Sequence, residues 1–209
     1  MNAEHSEQIF ADYLTTHGMC YQREYPVNGA NVDFCIEMAN SRVLCDVKEV
    51  RESKEERIAE IDAHYHIRGD IRKLRAKFGK NRPSVPVFLV TMNFSSNFFT
   101  GLTIARALLG DIGINFDRLT STVTSPLHHL PRGNAALTEA SNRSISAVLV
   151  FDCATRCQHY LFINPFADKP IPEDFFPTSV RRVKLRRDMT QEELLQLSNF
   201  MFWPSTPGS

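Results

Sequence analysis

The sequence predicts an α/β fold with a central mixed sheet flanked by helices, because helix-like and strand-like segments alternate along the chain. One helical pattern opens the chain and three strand patterns follow it. A charged helix then leads to the nearly all-apolar strand VPVFLVTM at 85–92. With 209 residues, 43% of them hydrophobic, the chain is long enough for one domain with a buried core. We expect a single domain over 1–209, with a core over 4–93 and a C-terminal extension over 94–209.

The early elements are defined by the spacing of their apolar residues. Residues 4–17 carry apolar side chains at helical intervals and end at Gly18, since glycine often stops a helix. Residues 19–27 alternate between two sets of side chains, which predicts a strand. Residues 31–38 and 43–50 predict two more strands, which form a hairpin through a short loop.

The later elements are separated by less regular stretches. Residues 52–79 predict one long helix, or two helices broken near Gly69. Residues 111–143 are rich in Gly, Ser, Thr, Pro and Asn and have no clear period. Elsewhere the pattern predicts a helix at 98–110, a strand hairpin at 146–152 and 159–164, and a last helix at 189–202 that Thr190 opens.

Composition and charge exclude several classes of function. The 24 basic residues balance 24 acidic residues, so the net charge predicts no particular partner and argues against a histone-like coat on nucleic acid. No apolar run reaches the ~18 residues that a membrane-spanning helix needs. The first residues lack the basic-then-apolar pattern of a secretory signal. The five cysteines are an odd number, and several fall in strand-like runs, which favours free thiols. These features predict a cytoplasmic protein without a membrane partner.

The second and third predicted strands bring ionisable residues together. A hairpin centred between Asn40 and Ser41 places Asp33 opposite Lys48 on the neighbouring strand. Asp46 lies two residues before Lys48, and side chains two apart share one face of a strand. Both residues of this third strand lie within an apolar run, where charges without a role would be unfavourable. The pattern therefore predicts two carboxylates and one ammonium group on one face of the sheet.

These three groups have the chemistry of a metal-dependent hydrolase. Two carboxylates a few ångströms apart repel each other unless a positive charge lies between them, and Mg²⁺ binds carboxylate oxygens while keeping waters of its own. A divalent cation lowers the pKa of a bound water and neutralises charge on a phosphoryl oxygen, and a neighbouring lysine can orient or deprotonate that water. Glu7, early in the first predicted helix, is a candidate for a further ligand. The set is the minimum needed to hydrolyse a phosphodiester bond.

Asp33 followed by Asp46-Val47-Lys48 resembles the signature of the PD-(D/E)XK nuclease superfamily. Val32 stands where the family name has proline. The predicted order of helix, three strands, helix and strand is similar to the αβββαβ core that restriction endonucleases and related nucleases share. The resemblance therefore covers the predicted core and implies a restriction endonuclease-like fold with a C-terminal extension.

The resemblance implies a DNA nuclease that depends on Mg²⁺, which Mn²⁺ can replace, and that leaves a 5′-phosphate. It assigns metal binding to Asp33, Asp46 and Glu7, and it assigns the attacking water to Lys48. It leaves open whether the enzyme is an endonuclease or an exonuclease and which DNA structure or sequence it prefers. A homodimer and a partner subunit are both compatible with it.

Two basic runs suit contacts with the phosphates of DNA. One lies at 68–82 in the predicted long helix, and the other lies at 181–187 in the extension. Basic groups beside a phosphodiesterase site neutralise backbone phosphates without reading the base sequence. The residues that we expect to contact nucleic acid are Arg68, Arg72, Lys73, Arg75, Arg181 and Arg182.

Other interpretations of the same residues stay open. The charged groups could form an exposed cross-strand pair, worth ~0.2–1 kcal/mol and without chemistry, in a non-catalytic module that binds nucleic acid or acts as a scaffold. The chain could also be a hydrolase of RNA or of a small molecule on a different α/β scaffold. The presence of both carboxylates together with the lysine favours the nuclease, because a non-catalytic relative usually lacks one of them.

Overall fold

A computed structural model of the chain describes residues 3–38, 41–50, 63–94, 100–113, 116–117, 120, 122–123, 125, 128–129, 135–153 and 158–199. The helices in these ranges are α1 (Ala3–Thr16), α2 (Ala63–Lys77), α3 (Gly101–Leu109) and α4 (Gln191–Asn199). The strands are β1 (Cys20–Val27), β2 (Ala30–Met38), β3 (Ser41–Val50), β4 (Val87–Asn93), β5 (Ile112–Gly113), β6 (Phe116–Asp117), β7 (Thr122–Val123), β8 (His128–His129), β9 (Ala147–Asp152), β10 (Gln158–Ile163) and β11 (Arg181–Lys184).

Seven strands form one mixed sheet in the order β1-β2-β3-β4-β9-β10-β11. The strands β1, β2 and β3 are antiparallel neighbours, β4 lies parallel to both β3 and β9, and β11 lies parallel to β10. The predicted hairpin in the extension is confirmed as the antiparallel pair β9–β10. The extension therefore continues the same sheet that the N-terminal strands begin. The fold is mixed α/β, as the sequence predicts.

Hydrophobic packing covers both faces of the sheet. On one face, α1 contributes Phe10 and Leu14 to a core with Phe34 and Phe88 from the sheet. On the opposite face, the apolar side of α2 packs with α3 and α4 against the strands. Because each face is buried, β4 is mostly apolar, and every residue of this strand is buried, including the polar residues Thr91 and Asn93. The site described below lies on the α2 face.

The later elements agree only partly with their predicted bounds. The helix α2 runs without a break through Gly69 and begins at Ala63, and the predicted residues 52–62 lie outside the described ranges. Thr190 opens α4 as predicted, because its hydroxyl accepts from the Glu193 backbone N–H at 3.2 Å. The strand β11 and the two-residue strands β5–β8 were not predicted from the sequence. None of the described helices is long and apolar enough to cross a membrane.

The register of the β2–β3 hairpin differs from the prediction by two residues. Met38 pairs with Ser41, and Phe34 pairs with Cys45, so the turn lies one residue earlier than expected. Asp33 is therefore in register with Asp46 and not with Lys48. A shift by two residues leaves every side chain on its predicted face, because strand side chains alternate with a period of two. For this reason, Asp33 and Asp46 still share a face with Lys48, although the predicted register was wrong.

Candidate functional site

The candidate site lies where β2 and β3 stop pairing through their backbones. The ladder between these strands ends at Phe34 and Cys45. Beyond it, the Asp33 backbone N–H donates to Asp46 Oδ1 at 3.2 Å, and the Val47 N–H donates to Asp33 Oδ2 at 2.7 Å. Each aspartate thus replaces a missing backbone acceptor on the neighbouring strand. Both carboxylates are held in place by the backbone that they satisfy.

Asp33 also marks an irregularity in the side-chain alternation of β2. Phe34 and Ile36 pack in the core beneath α1, whereas Val32 packs in the core beneath α2. Strict alternation would place Val32 with Phe34, so β2 departs from strict alternation between these two residues. The β1–β2 ladder contains the pairs Arg23–Phe34 and Tyr25–Val32 but no pair that includes Asp33. Asp33 is therefore outside both ladders, while its carboxylate stays on the face that alternation from Phe34 predicts.

Two lysines face the two carboxylates. Lys48 Nζ lies 3.4 Å from Asp33 Oδ2 and 3.7 Å from Asp46 Oδ2, and it donates to the Val47 carbonyl at 3.1 Å. Lys77, from the last turn of α2, places its Nζ 2.7 Å from Asp46 Oδ2 and 3.7 Å from Asp33 Oδ1. The Asp46 side chain is fully buried, whereas Lys48 is 30% exposed. The cluster therefore opens to solvent on the side of its lysines.

Burial and mutual charge determine the protonation of this cluster. Burial raises the pKa of Asp46 and the neighbouring Asp33 carboxylate raises it further, whereas Lys77 and Lys48 oppose this shift. For Lys48, burial alone lowers the pKa, but Asp33, Asp46 and the more distant Asp70 together raise it above its usual value. Lys48 is consequently an ammonium group at neutral pH. It is a donor of hydrogen bonds and a positive charge, not a free base.

The carboxylates fit a hard divalent cation by number and type. Mg²⁺ commonly takes one or two protein carboxylates and completes its octahedral shell with waters. Among the described residues, Asp46 Oδ2 is buried without a hydrogen bond of acceptable geometry, although two ammonium groups lie near it. Such an oxygen can bind a cation that takes the place of the nearby Lys77 ammonium group. In the described part of the chain, no group of three or more His, Cys, Asp or Glu is arranged to hold a metal ion.

Glu7 does not join the two aspartates as a third ligand. Its Oε2 forms an ion pair with Arg23 of β1 at 2.7 Å, and Arg23 in turn lies over the ring of Phe34 in the α1-face core. The prediction that Glu7 completes the metal site is therefore wrong. One position earlier, the Ser6 hydroxyl donates to Glu49 Oε1 on the same α1 side. Glu49 thus pairs with a helix residue, as strand alternation predicts.

Arg68 is a structural residue and not a surface contact for DNA. Its side chain is 2% exposed. The guanidinium donates to the Arg106 carbonyl at 2.6 Å and the Ala107 carbonyl at 3.3 Å, and it forms an ion pair with Asp111 at 2.8 Å. These carbonyls lie in the last turn of α3, where a helix leaves acceptors unsatisfied and favours positive charge. The prediction that Arg68 contacts nucleic acid is corrected for this reason.

The other predicted contacts on α2 remain on its outer side. Arg72 and Lys73 are exposed, and Lys73 pairs with Asp70 at 3.1 Å. Arg75 is partly buried and donates to the Gly79 carbonyl just beyond the helix. Of these residues, Lys73 lies on the same side of α2 as Lys77, since residues four apart share one side of a helix. Their contact with DNA stays a prediction.

The second basic run lies far from the carboxylates. Its residues Arg181 and Arg182 belong to β11, which is four strands from β3, or about 19 Å at ~4.8 Å per strand. Arg182 donates to the carbonyls of Pro172 and Glu173 at 3.1 and 3.0 Å, so it fixes a loop of its own chain. The contact of Arg182 with DNA stays a prediction. Arg181 is exposed at this distant edge, and its contact with DNA stays a prediction.

Lys77 is the site residue that sequence reasoning missed. It belongs to the predicted basic run, but nothing in that run distinguishes it from its neighbours by residue type. A spacing signal was present, since Asp70, Leu74 and Lys77 recur at intervals of four and three and thus share one side of α2. Leu74 is fully buried, so Lys77 follows the edge of the core-facing side. That position directs it toward the sheet.

Comparison of the chain with models of protein families, with curated proteins and with solved structures finds no significant match. The assignment of a function therefore depends on the chemistry of the site.

Proposed function

We propose that the protein is a metal-dependent nuclease that hydrolyses DNA phosphodiester bonds at the Asp33–Asp46–Lys48 site. The observation that carries the proposal is the convergence of two buried or nearly buried carboxylates and an ammonium group at the point where β2 and β3 separate. An ordinary exposed ion pair forms without backbone N–H groups that fix its carboxylates. Here, backbone N–H groups fix the carboxylates of both Asp33 and Asp46. A site of this kind is preorganised at a cost in stability, which is typical of functional sites.

The order of the elements supports a restriction endonuclease-like core. The chain follows the sequence α1, β1, β2, β3, α2, β4, with β1–β3 antiparallel and β4 parallel to β3. The first aspartate lies on β2, and the Asp-x-Lys segment lies on β3. This order is the one that the resemblance to PD-(D/E)XK nucleases implies. We propose that fold on this basis, with β9–β11 as an extension of its sheet.

Each residue of the site has a chemical role in the proposed reaction. Asp33 and Asp46 would hold Mg²⁺ or Mn²⁺, which would supply a Lewis acid for the scissile phosphate and a water of lowered pKa. Lys48 carries a positive charge and is partly exposed, so it can hold a water or a phosphoryl oxygen by donating hydrogen bonds. The exposed Arg72 and Lys73 on α2 would contact DNA phosphates beside the site.

A panel of DNA substrates tests the proposal. Supercoiled plasmid, linear duplex, branched duplex and single strand are incubated with the protein and Mg²⁺, Mn²⁺ or EDTA, and the ends of any product are analysed. We expect cleavage of at least one substrate that requires metal, leaves a 5′-phosphate and is lost in Asp46→Asn. Cleavage that persists in EDTA, or that Asp46→Asn retains at the wild-type rate, would refute the proposal.

One observation favours a second candidate, a non-catalytic module that binds nucleic acid or acts as a scaffold. The two carboxylates and the two lysines balance in charge, so the cluster is neutral without a metal ion. A neutral cluster of this kind can simply fasten α2 to the sheet. In that case Mg²⁺ and Mn²⁺ would not raise the melting temperature, and no DNA in the panel would be cut.

A further inference from the structure

Lys77 occupies the position that a bridging cation needs. Its Nζ lies 2.7 Å from Asp46 Oδ2 and 3.7 Å from Asp33 Oδ1, so one ammonium group spans an oxygen of each carboxylate. Lys48 approaches the pair differently, since both of its contacts involve an Oδ2 atom at 3.4 Å or more. Of the two lysines, Lys77 is thus the closer partner of the fully buried Asp46.

A divalent cation between Asp33 and Asp46 would compete with Lys77 for the position between the two carboxylates. Mg²⁺ binds carboxylate oxygens at about 2.0–2.1 Å and demands near-octahedral geometry, so an ion that bridges these carboxylates with its waters would need the space that the Lys77 ammonium group occupies. Two positive centres a few ångströms apart also repel strongly when they are partly shielded from water. Loading of the site therefore requires Lys77 to move away from Asp46.

The side chain of Lys77 is able to make this movement. It is 24% exposed, and it ends a helix, where the last turn is constrained by fewer backbone hydrogen bonds than the middle of the helix. A lysine carries a single charge on a flexible stem and shifts its position more readily than an arginine. Its amine can therefore move outward into solvent from this end of the cluster.

On these grounds, and resting on the proposed function, we infer that Lys77 is an internal competitor for the metal ion. In the metal-free protein it neutralises Asp33 and Asp46, and on metal binding it leaves the carboxylates. Two consequences follow. The affinity of the site for divalent cations is lower than the carboxylates alone would give, and the Lys77 amine becomes more accessible when the metal binds.

Metal binding without DNA tests the first consequence. The Kd of Mn²⁺ is measured from the loss of the free-ion electron paramagnetic resonance signal, at about pH 8, where free carboxylates are ionised. The variant Lys77→Gln keeps a similar length and a hydrogen-bond donor but removes the charge. We expect it to bind Mn²⁺ at least about tenfold more tightly than wild type, as removal of one close positive charge implies. The matched control is Lys80→Gln, which removes an exposed lysine just beyond α2 and should bind Mn²⁺ as wild type does.

The outcomes separate this inference from the proposed function. Tighter binding by Lys77→Gln but not by Lys80→Gln supports the inference. Equal or weaker binding by Lys77→Gln, with clear binding by wild type, overturns the role of Lys77 and leaves the metal site intact. Absence of Mn²⁺ binding in wild type and in both variants overturns the metal site and the inference with it.

A measurement on the wild-type protein covers the case in which Lys77→Gln does not fold. The protein is treated briefly with a small amine-acylating reagent, with and without Mg²⁺, and acylation of each lysine is quantified by mass spectrometry. We expect Mg²⁺ to increase acylation of Lys77 several-fold, while Lys80 remains unchanged as an internal reference. An unchanged or decreased reactivity of Lys77 at saturating Mg²⁺ would overturn the inference.

Discussion

Replacement of Arg68 by methionine separates a structural arginine from a DNA contact. The substitution keeps an unbranched side chain of similar reach and removes the guanidinium from the end of α3. Its ion pair with Asp111 and its two hydrogen bonds to helix carbonyls would be lost together. Removal of one partner from a buried ion pair costs about 3–5 kcal/mol. Asp111 is 28% exposed and can be rehydrated, so we expect a value near the lower limit, about 3 kcal/mol.

The assay is urea and thermal unfolding followed by circular dichroism, with Arg72→Met as the matched control. Arg72 lies one turn further along α2 and is exposed, so its replacement should change stability by no more than about 0.5 kcal/mol. For a chain of this size, the expected loss in Arg68→Met lowers Tm by roughly 6–12 °C. If Arg68→Met loses less than about 1 kcal/mol and weakens DNA binding as much as Arg72→Met, the structural role of Arg68 is refuted.

Three further predictions concern pH and packing. Folding raises the pKa of Asp46 above its usual value of 3.8, so ionisation of this carboxyl destabilises the fold as pH rises. Asparagine does not ionise. In urea titrations, the stability of Asp46→Asn relative to wild type should therefore increase from about pH 4 to neutrality. Burial raises the pKa of Tyr13 from 10.0 to about 12, so wild type should lose stability across that interval, and Tyr13→Phe should lose less. Gly101→Ala should cost about 1–3 kcal/mol in urea unfolding, since its Cβ would lie 2.6 Å from the Leu197 carbonyl oxygen. The control is Gly69→Ala, where no atom lies within 4 Å of the added carbon, and its free energy of unfolding should increase by up to about 1 kcal/mol. Equal effects at the two glycines would contradict the packing of α3 on α4.

The sequence predicted the site on the sheet better than the elements around it. Asp33, Asp46 and Lys48 were placed on one face by alternation alone, and a register error of two residues did not change that face. The error arose because hairpin register depends on the turn, and the residues between Met38 and Ser41 carry no decisive turn signal.

The helices were harder because their rotation about the axis is set by packing and not by residue type. Arg68 lies between His64 and Ile71 on the buried side of α2, a position at which an arginine is rarely found. Glu7 pairs with Arg23 across α1 and β1, a contact between elements that no local pattern reports. To predict the contact of Lys77 with Asp46, one would have to know both the rotation of α2 about its axis and the position where this helix ends.

The extension was least predictable where its strands are shortest. The strand β11 has the sequence RRVK, in which Val183 alone is buried, so the apolar alternation is too short to distinguish it from a charged loop. The strands β5–β8 have two residues each, which is below the length at which any period can be recognised. Their residues fall in the stretch for which the sequence has no clear period.

The rate of DNA cleavage by Lys48→Ala tests the central claim most directly. The rate constant is measured at saturating Mg²⁺ on whichever substrate the wild type cuts, beside Lys169→Ala, which removes an exposed lysine outside the cluster. We predict that Lys48→Ala is slower by at least about 10²-fold while it remains folded by circular dichroism, and that Lys169→Ala cleaves like wild type. Cleavage by Lys48→Ala at the wild-type rate would contradict the assignment of this site as the centre of the reaction.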